Sequence, residues 1–147
     1  MEIKKCTLDD LDQLALWTMQ ATVDMREGSP WGTPEESPEL LAGSRETVET
    51  YLTRESYDVY EFLVAGEPVG HFVVDKTDQY PGTLVDEFSI RREYRRKGYG
   101  TQALHTLMEY LGVTALDLNV FCWNRRAMAF YESFGFKGIS LHMNYGT

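Results

Sequence analysis

The stretch LVDEFSIRREYRRKGYGTQALHTLMEYL, residues 84–111, joins a strand pattern to a helix pattern through a basic turn that contains two glycines. Residues 84–90 are typical of a strand, and apolar residues recur at helical spacing from about Gly98 to Leu111. Glycine lets the backbone approach a ligand closely, and the first amides of a helix have no intrahelical partner. Because the positive end of the helix dipole lies behind those amides, the junction predicts a site for a phosphate group.

The sequence around this stretch predicts one domain, residues 1–147, with helices on both faces of a mixed sheet. Thr7, with Asp10 three residues later, is expected to cap the first helix, and two glycines and two prolines interrupt the chain at 27–34. The expected order is β-α-α-β-β-β-α-β-α-β. Its elements are strands at 2–6, 59–65, 69–75, 84–90, 116–120 and 136–145, and helices at about 8–26, 38–53, 99–111 and 124–134.

The charge of the chain is unevenly distributed. The net charge is −9, and residues 1–61 hold 14 acidic and 5 basic side chains, whereas residues 62–147 hold 9 of each. Five of the latter bases lie at 91–97, which favours a small polyanion there and a cationic partner elsewhere, although solubility explains the acidic excess equally well. Such a chain is a poor nucleic-acid binder, and no apolar run is long enough to cross a membrane.

The two cysteines give little sign of special chemistry. Cys6 and Cys122 lack the spacing of a metal site, so no metal is expected, and a disulfide framework would need more cysteines. The simplest interpretation is two reduced thiols in a cytoplasmic protein.

Two motifs resemble those of a known family. Residues 85–90 followed by Arg95-x-x-Gly98-x-Gly100 resemble the acetyl-CoA-binding motif of the GNAT acetyltransferase superfamily. A second stretch resembles the second GNAT motif. It consists of the pattern at 116–120 and the positions that follow it, Asn124, Ala127, Tyr131 and Gly135-Phe136. The resemblance implies the GNAT α/β (α+β) fold, with a mostly antiparallel mixed sheet, and acetyl-CoA as cofactor. A nucleotide triphosphatase loop is absent, and a dinucleotide fingerprint leaves the basic cluster unexplained.

The resemblance also implies positions for the cofactor. The pyrophosphate is expected on the backbone amides of Arg96–Thr101, with additional side-chain contacts from Arg95 and Arg96. The pantetheine arm is expected along the backbone at 88–90. Asn124 is either a cofactor contact or a helix N-cap, and both roles are compatible. The complete set is Phe88, Ser89, Ile90, Arg95, Arg96, Lys97, Gly98, Tyr99, Gly100, Thr101, Asn124, Ala127 and Tyr131.

The expected reaction is transfer of an acetyl group from acetyl-CoA to a primary amine by direct attack. By resemblance, Tyr131 is the general acid that protonates the leaving thiolate, and the alternative is a core aromatic. Glu87 is the first choice of general base, and Asp86 beside it is expected to face the opposite side of the strand. Glu61 and His71, in adjacent strands, are further candidates that would act through a water chain, and both are expected near the substrate.

The acceptor is expected beneath the loop between the first two helices, at 26–38. Trp31 would act as a lid, and Glu35 and Glu36 would attract an ammonium group, although an ordinary surface connection is also consistent with the sequence. A cationic small molecule, such as a polyamine or aminoglycoside-like compound, is the favoured acceptor. The alternatives are a protein N-terminus or lysine, and a non-catalytic acyl-CoA-binding module. The short segment Gly135–Thr147 forms one strand or is completed by a partner subunit, which leaves a homodimer open.

Overall fold

The structure, a computed structural model, describes residues 1–147 as five strands and four helices. The strands are β1 (Glu2–Lys5), β2 (Tyr57–Val64), β3 (Glu67–Asp75), β4 (Thr83–Ile90) and β5 (Leu116–Leu118). The helices are α1 (Leu11–Arg26), α2 (Pro38–Thr53), α3 (Tyr99–Leu111) and α4 (Arg125–Phe134), with short 3₁₀ turns at Leu8–Asp10 and Arg92–Tyr94. None of the helices combines the length and hydrophobicity that a bilayer crossing requires.

The strands form one mixed sheet in the order β1-β2-β3-β4-β5. All neighbouring strands are antiparallel except β4 and β5, which are parallel. Helices α1 and α2 cover one face, where Leu14 and Trp17 pack against Val59 and Val73. Helix α3 covers the other face through Ala103 and Leu107. The predicted architecture, a mostly antiparallel mixed sheet with helices on both faces, is therefore confirmed.

Local signals near the chain start were interpreted correctly. The Thr7 hydroxyl accepts a hydrogen bond from the Asp9 amide, while Asp10 Oδ2 accepts one from the Thr7 amide at 2.9 Å. This capping box opens the 3₁₀ turn that leads into α1. In the same way, the Ser37 hydroxyl caps α2, and Pro38 occupies its first turn.

A β-bulge in β4 places the acidic pair Asp86 and Glu87. Val73 is opposite Glu87 and Val74 is opposite Val85, so Asp86 has no cross-strand partner. Both carboxylates consequently contact the helical layer of α1 and α2, and the expectation that they face opposite sides was wrong. The alternation of a regular strand does not hold across an inserted residue.

Strands β4 and β5 separate after three paired residues. Thr83–Val85 pair with Leu116–Leu118, and the remaining edge of β4, residues 86–90, has no strand beside it. The predicted extension of β5 to Val120 was therefore wrong. The chain leaves β5 into an irregular segment at 119–123, and an opening forms between the two strands.

The predicted last strand at 136–145 was also wrong. Residues 137–147 make no backbone-to-backbone hydrogen bond, although Ile139, Leu141 and Met143 alternate as in a strand and are exposed. The Phe136 amide donates to the Tyr131 carbonyl at the end of α4, and Trp31 Nε1 donates to the Thr147 carbonyl at 3.3 Å. The tail is thus directed across the opening, and not along the three-residue edge of β5.

Candidate active site

One large cavity lies where β4 and β5 separate. It has a volume of about 1340 Å³ and extends from the N-terminus of α3 to the facing sides of α1 and α2. Most of the residues predicted to bind cofactor or substrate line it: Trp31, Glu87, Phe88, Ser89, Ile90, Arg95, Arg96, Gly98, Tyr99, Gly100, Thr101, Asn124, Ala127 and Tyr131. Five predicted residues do not line it: Glu35, Glu36, Glu61, His71 and Lys97.

The loop before α3 presents a continuous series of free amides. None of the six backbone amides from Arg96 to Thr101 donates a hydrogen bond within the chain, and the first intrahelical bond is from Gln102 to Gly98 at 3.2 Å. Arg96 has a φ of 62° and Gly98 a φ of 78°, both in the left-handed region. Left-handed residues that alternate with ordinary ones turn successive amides toward one concavity, which is a geometry suited to an anion.

Two arginines of the basic cluster hold this loop against α1. Asp24 accepts from Arg92 Nη2 at 2.8 Å and from Arg95 Nη2 at 2.9 Å. Burial raises the pKa of Asp24, but the two guanidinium groups outweigh it and hold that pKa below its usual value. Arg95 Nε also donates to the Ile90 carbonyl at 3.0 Å. The Arg95 guanidinium, predicted as a phosphate contact, is therefore already engaged in the structure.

The two loop glycines are required for different reasons. Gly98 needs its left-handed conformation, and nothing lies within 4 Å of the position where a Cβ would stand. Gly100 has ordinary helical geometry, but a Cβ there would lie 2.9 Å from the ring of Phe130 in α4. Gly98 therefore shapes the loop, and Gly100 allows α3 and α4 to pack closely.

Helix α4 places Tyr131 at the opening between β4 and β5. Its ring packs against Phe88 and Phe136, with ring centroids 6.4 Å and 5.5 Å away. Its hydroxyl makes no hydrogen bond within the chain, and burial raises its pKa to about 12. Tyr131 is therefore a protonated donor at neutral pH with no partner inside the protein.

Asn124 begins the same helix. Its side-chain oxygen accepts a hydrogen bond from the Ala127 amide at 3.3 Å, so the predicted N-cap is present. The carboxamide nitrogen has no partner in the chain, which leaves it available to a ligand in the cavity.

Glu87 lies on the side of the cavity that α1 and α2 form, and Thr18 and His71 hold its carboxylate. Its Oε1 accepts a hydrogen bond from the Thr18 hydroxyl at 3.0 Å and lies 2.9 Å from His71 Nε2. Burial raises the pKa of Glu87, but His71 and Thr18 outweigh it and hold the pKa below its usual value. Oε2 makes no hydrogen bond in the chain. The side chain is 19% exposed, so an ionised carboxylate with one free oxygen borders the cavity.

These features agree with one family. The model of the acetyltransferase (GNAT) family matches residues 19–136. The chain belongs to this family. The match includes the free amides before α3, Glu87 and Tyr131, and it leaves out β1, the first half of α1 and the tail.

Comparisons of structures show the same GNAT fold. A mutant of the BH1408 protein of Bacillus halodurans is similar over 100% of this chain and 99% of its own, with a TM-score of 0.76 and 19% identity. The YycN protein of Bacillus subtilis is similar over 99% of each chain, with a TM-score of 0.71 and 21% identity. An aminoglycoside acetyltransferase from an uncultured soil metagenomic sample, solved with sisomicin, reaches 0.61 at 15% identity over 99% of this chain and 95% of its own. A sequence comparison with curated proteins finds no match.

The predicted route through Glu61 and His71 does not reach the acceptor directly. The two residues face each other across β2 and β3 and are 5% and 2% exposed. Trp17 of α1 stacks on the His71 ring with centroids 6.2 Å apart, and neither residue lines the cavity. His71 therefore contacts Glu87 from outside the cavity.

The predicted lid lies only partly over the cavity. Trp31 is 52% exposed and packs edge-on against Trp123, with ring centroids 5.5 Å apart. Glu35 does not line the cavity, and Glu36 lies 3.9 Å from Arg92 Nη1. The glutamates of this loop are therefore not placed around an ammonium group, because the loop turns them toward solvent and the basic cluster.

The wall formed by α1 and α2 was not predicted from the sequence. Thr18, Ser44 and Thr47 line the cavity, together with Tyr51, whose hydroxyl donates to Asp86 at 2.8 Å. The available signal was hydroxyl side chains on the inner face of α2 at positions 44, 47 and 51, where a helix that only packs on a sheet would carry aliphatic residues.

Proposed function

We propose that this GNAT protein is an N-acetyltransferase that moves an acetyl group from acetyl-CoA to a primary amine of a cationic small molecule. The observation that carries the proposal is the series of free amides from Arg96 to Thr101, which opens into the cavity that contains Tyr131 and Glu87. A series of free amides at a helix N-terminus suits a pyrophosphate, and the cavity is large enough for the remainder of the cofactor and an acceptor.

The cofactor would then follow the opening between β4 and β5. The unpaired edge of β4 at Phe88–Ile90 offers backbone groups to the amide-containing pantetheine arm, as an added strand would. The free carboxamide nitrogen of Asn124 offers one further donor from α4, and Ala127 lies beside it. This path brings the thioester between Tyr131 and Glu87.

The chemistry requires two proton transfers. The amine nitrogen attacks the thioester carbon, the C–S bond breaks, and the departing thiolate takes a proton from Tyr131. Amides of the β4 edge near Phe88 would stabilise the charge on the carbonyl oxygen during attack. The proton lost by the nitrogen passes to Glu87, which is ionised at neutral pH and so is ready to accept it. The nitrogen becomes strongly acidic once it is bonded to the carbonyl carbon, so a carboxylate of lowered pKa suffices.

A cationic acceptor is supported by the charges around Glu87. Asp86 and Glu87 both border the acceptor side of the cavity, and no lysine or arginine of the chain pairs with either carboxylate. Residues 1–61, which include both helices of this wall, also hold most of the acidic excess. The soil aminoglycoside acetyltransferase, whose fold is the same, was solved with sisomicin, a compound with several amines.

The first test is release of the CoA thiol from acetyl-CoA with purified protein and a panel of amines. Acetyl-CoA at 100 times its Kd should stabilise the protein by about 2.7 kcal/mol in a thermal shift. Stabilisation without turnover on any amine would favour a binding module instead. Absence of stabilisation would contradict cofactor binding altogether.

The second test addresses the amides themselves. Thr101→Pro removes one amide donor in the first turn of α3, where proline is tolerated, and Thr101→Ala keeps the amide while removing the side chain. Because a hydrogen bond to a charged group is worth about 1.5–3 kcal/mol, the proline variant should bind acetyl-CoA roughly 10 to 100 times more weakly than the alanine variant. Equal affinities would show that the pyrophosphate lies elsewhere.

A further inference from the structure

The acceptor side of the cavity contains a serine hydroxyl with no partner. Ser44 of α2 is 6% exposed, lines the cavity and makes no hydrogen bond within the chain. The threonines of α2 behave differently, since each donates to the carbonyl four residues earlier: Thr47 to Gly43, Thr50 to Glu46 and Thr53 to Glu49. The Ser44 hydroxyl forgoes such a bond and is therefore free to bond to a ligand or water in the cavity.

Asp86 adds an unneutralised charge to the same part of the cavity. Its side chain lines the cavity and accepts a hydrogen bond from the Tyr51 hydroxyl at 2.8 Å. No lysine or arginine of the chain lies within ion-pair distance of the Asp86 carboxylate. Asp24, near the C-terminal end of α1, is by contrast paired with two arginines. The bulge that turns Asp86 out of the strand pairing therefore places its charge where an external cation can reach it.

The cavity wall that carries these groups also has apolar surface. Ala21 and Met25 of α1 and Leu40 and Gly43 of α2 line this side, and none of them carries a polar side chain. Glu87, with its free Oε2, borders the same space. The wall thus has carboxylates at Asp86 and Glu87, a free hydroxyl at Ser44 and apolar surface between α1 and α2.

We propose that the acceptor carries at least two ammonium groups, and that Asp86, with Ser44, binds the one that is not acetylated. This inference rests on the proposed acetyl transfer, because Glu87 is assigned to the reacting amine. Asp86 and Ser44 form a specificity subsite, and Tyr51 orients the Asp86 carboxylate. Linear polyamines and aminoglycosides both carry two or more ammonium groups, and a comparison of acceptors distinguishes between these two classes of compound.

The experiment compares acceptors of matched length. Putrescine and n-butylamine have the same carbon chain and differ in the second ammonium group, and sisomicin serves as the aminoglycoside. The wild-type kcat/KM for putrescine should exceed that for butylamine by about tenfold or more, since one charge-assisted contact is gained. Asp86→Asn retains an acceptor for the Tyr51 hydroxyl, and it should reduce this ratio to about one by raising KM for putrescine.

Three further variants separate charge from structure. Tyr51→Phe keeps the Asp86 charge and should keep most of the preference, while Ser44→Ala should raise KM for putrescine by a few-fold and leave kcat unchanged. Glu109→Gln removes an exposed carboxylate on α3, outside the cavity, and should change neither amine.

The outcomes are distinct. An Asp86-dependent preference for putrescine over butylamine identifies a linear polyamine as the class of acceptor. An Asp86-dependent preference that is seen only with sisomicin identifies an aminoglycoside. Equal kcat/KM for putrescine, sisomicin and butylamine in the wild type, or an equal loss for all three amines in Asp86→Asn, overturns the subsite while acetyl transfer stands. Failure to acetylate any amine contradicts the proposed function itself.

Discussion

Replacement of Tyr131 by phenylalanine separates its chemical role from its packing. The ring contacts Phe88, Phe130 and Phe136, and the hydroxyl bonds to nothing in the chain. Tyr131→Phe therefore keeps the aromatic packing and breaks no intramolecular hydrogen bond. The free energy of unfolding should change by less than about 1 kcal/mol, which corresponds to a shift in Tm below about 4 °C.

The effect on catalysis should be much larger. A positioned general acid typically contributes about 100-fold or more, so kcat should fall by at least that factor, equivalent to about 3 kcal/mol of transition-state stabilisation. The Kd for acetyl-CoA should change by less than about threefold. Burial raises the pKa of Tyr131 to about 12, so the phenol stays protonated and wild-type activity should show no loss between pH 8 and 10 from this group.

The assay is steady-state CoA-thiol release at saturating amine, with acetyl-CoA affinity measured separately by calorimetry. A matched control is Tyr110→Phe, which removes the hydroxyl of an exposed tyrosine on α3 outside the cavity. If Tyr131→Phe retains more than about a third of wild-type kcat while Tyr110→Phe is normal, Tyr131 is a core aromatic and the leaving thiolate is protonated by solvent. A collapse in stability of Tyr131→Phe would equally contradict the packing argument.

Three other predictions follow from the site. Gly98→Ala should weaken acetyl-CoA binding, because it strains a φ of 78° at a cost of about 1–2 kcal/mol, whereas Gly112→Ala, with a φ of 67° at the far end of α3, should destabilise similarly without changing affinity. Glu87 has a pKa held below its unfolded value, so it stabilises the fold above about pH 4.5 and loses that contribution at lower pH. The fall in Tm between pH 7 and pH 4 should be smaller in Glu87→Gln. Trp31→Ala should lower the free energy of unfolding by at most about 1.5 kcal/mol, because it removes the contact with Trp123. It should also raise KM for the amine more than KM for acetyl-CoA. Equal KM values in wild type and variant would show that Trp31 is only a surface contact.

The helices and four of the strands could be predicted because their signals are local. Helix α2 has a serine cap and a proline in its first turn, and α3 begins at the basic turn with apolar residues at helical spacing. Such signals depend on residues within one or two turns of each other. The part of the cavity wall near α3 and α4 was predictable for the same reason, since the amides from Arg96 to Thr101 and Tyr131 lie in two continuous stretches.

The acceptor side could not be predicted in this way, because it depends on pairings between distant residues. The bulge at Asp86 is visible only in the register of β3 against β4, and it decides which way both carboxylates point. The partner of Glu87 on α1, Thr18, lies 69 residues away, and Tyr51 lies 35 residues from Asp86. The prediction of a last strand in the tail fails for a related reason. Alternating apolar residues mark a segment that is able to form a strand, but a strand also needs a neighbouring strand with a free edge of adequate length.

Part of the basic cluster has a structural role that composition does not reveal. Arg92 and Arg95 hold the loop against α1, because Asp24 bonds to both guanidinium groups. Arg96 has no ionic partner in the chain, but its own φ of 62° helps to turn the neighbouring amides into the concavity. Recognition of the pyrophosphate would therefore depend first on backbone donors whose direction is fixed by the fold, and only secondarily on side-chain charge. A loop held by an internal ion pair can remain formed before the cofactor arrives, which reduces the entropy that binding must overcome.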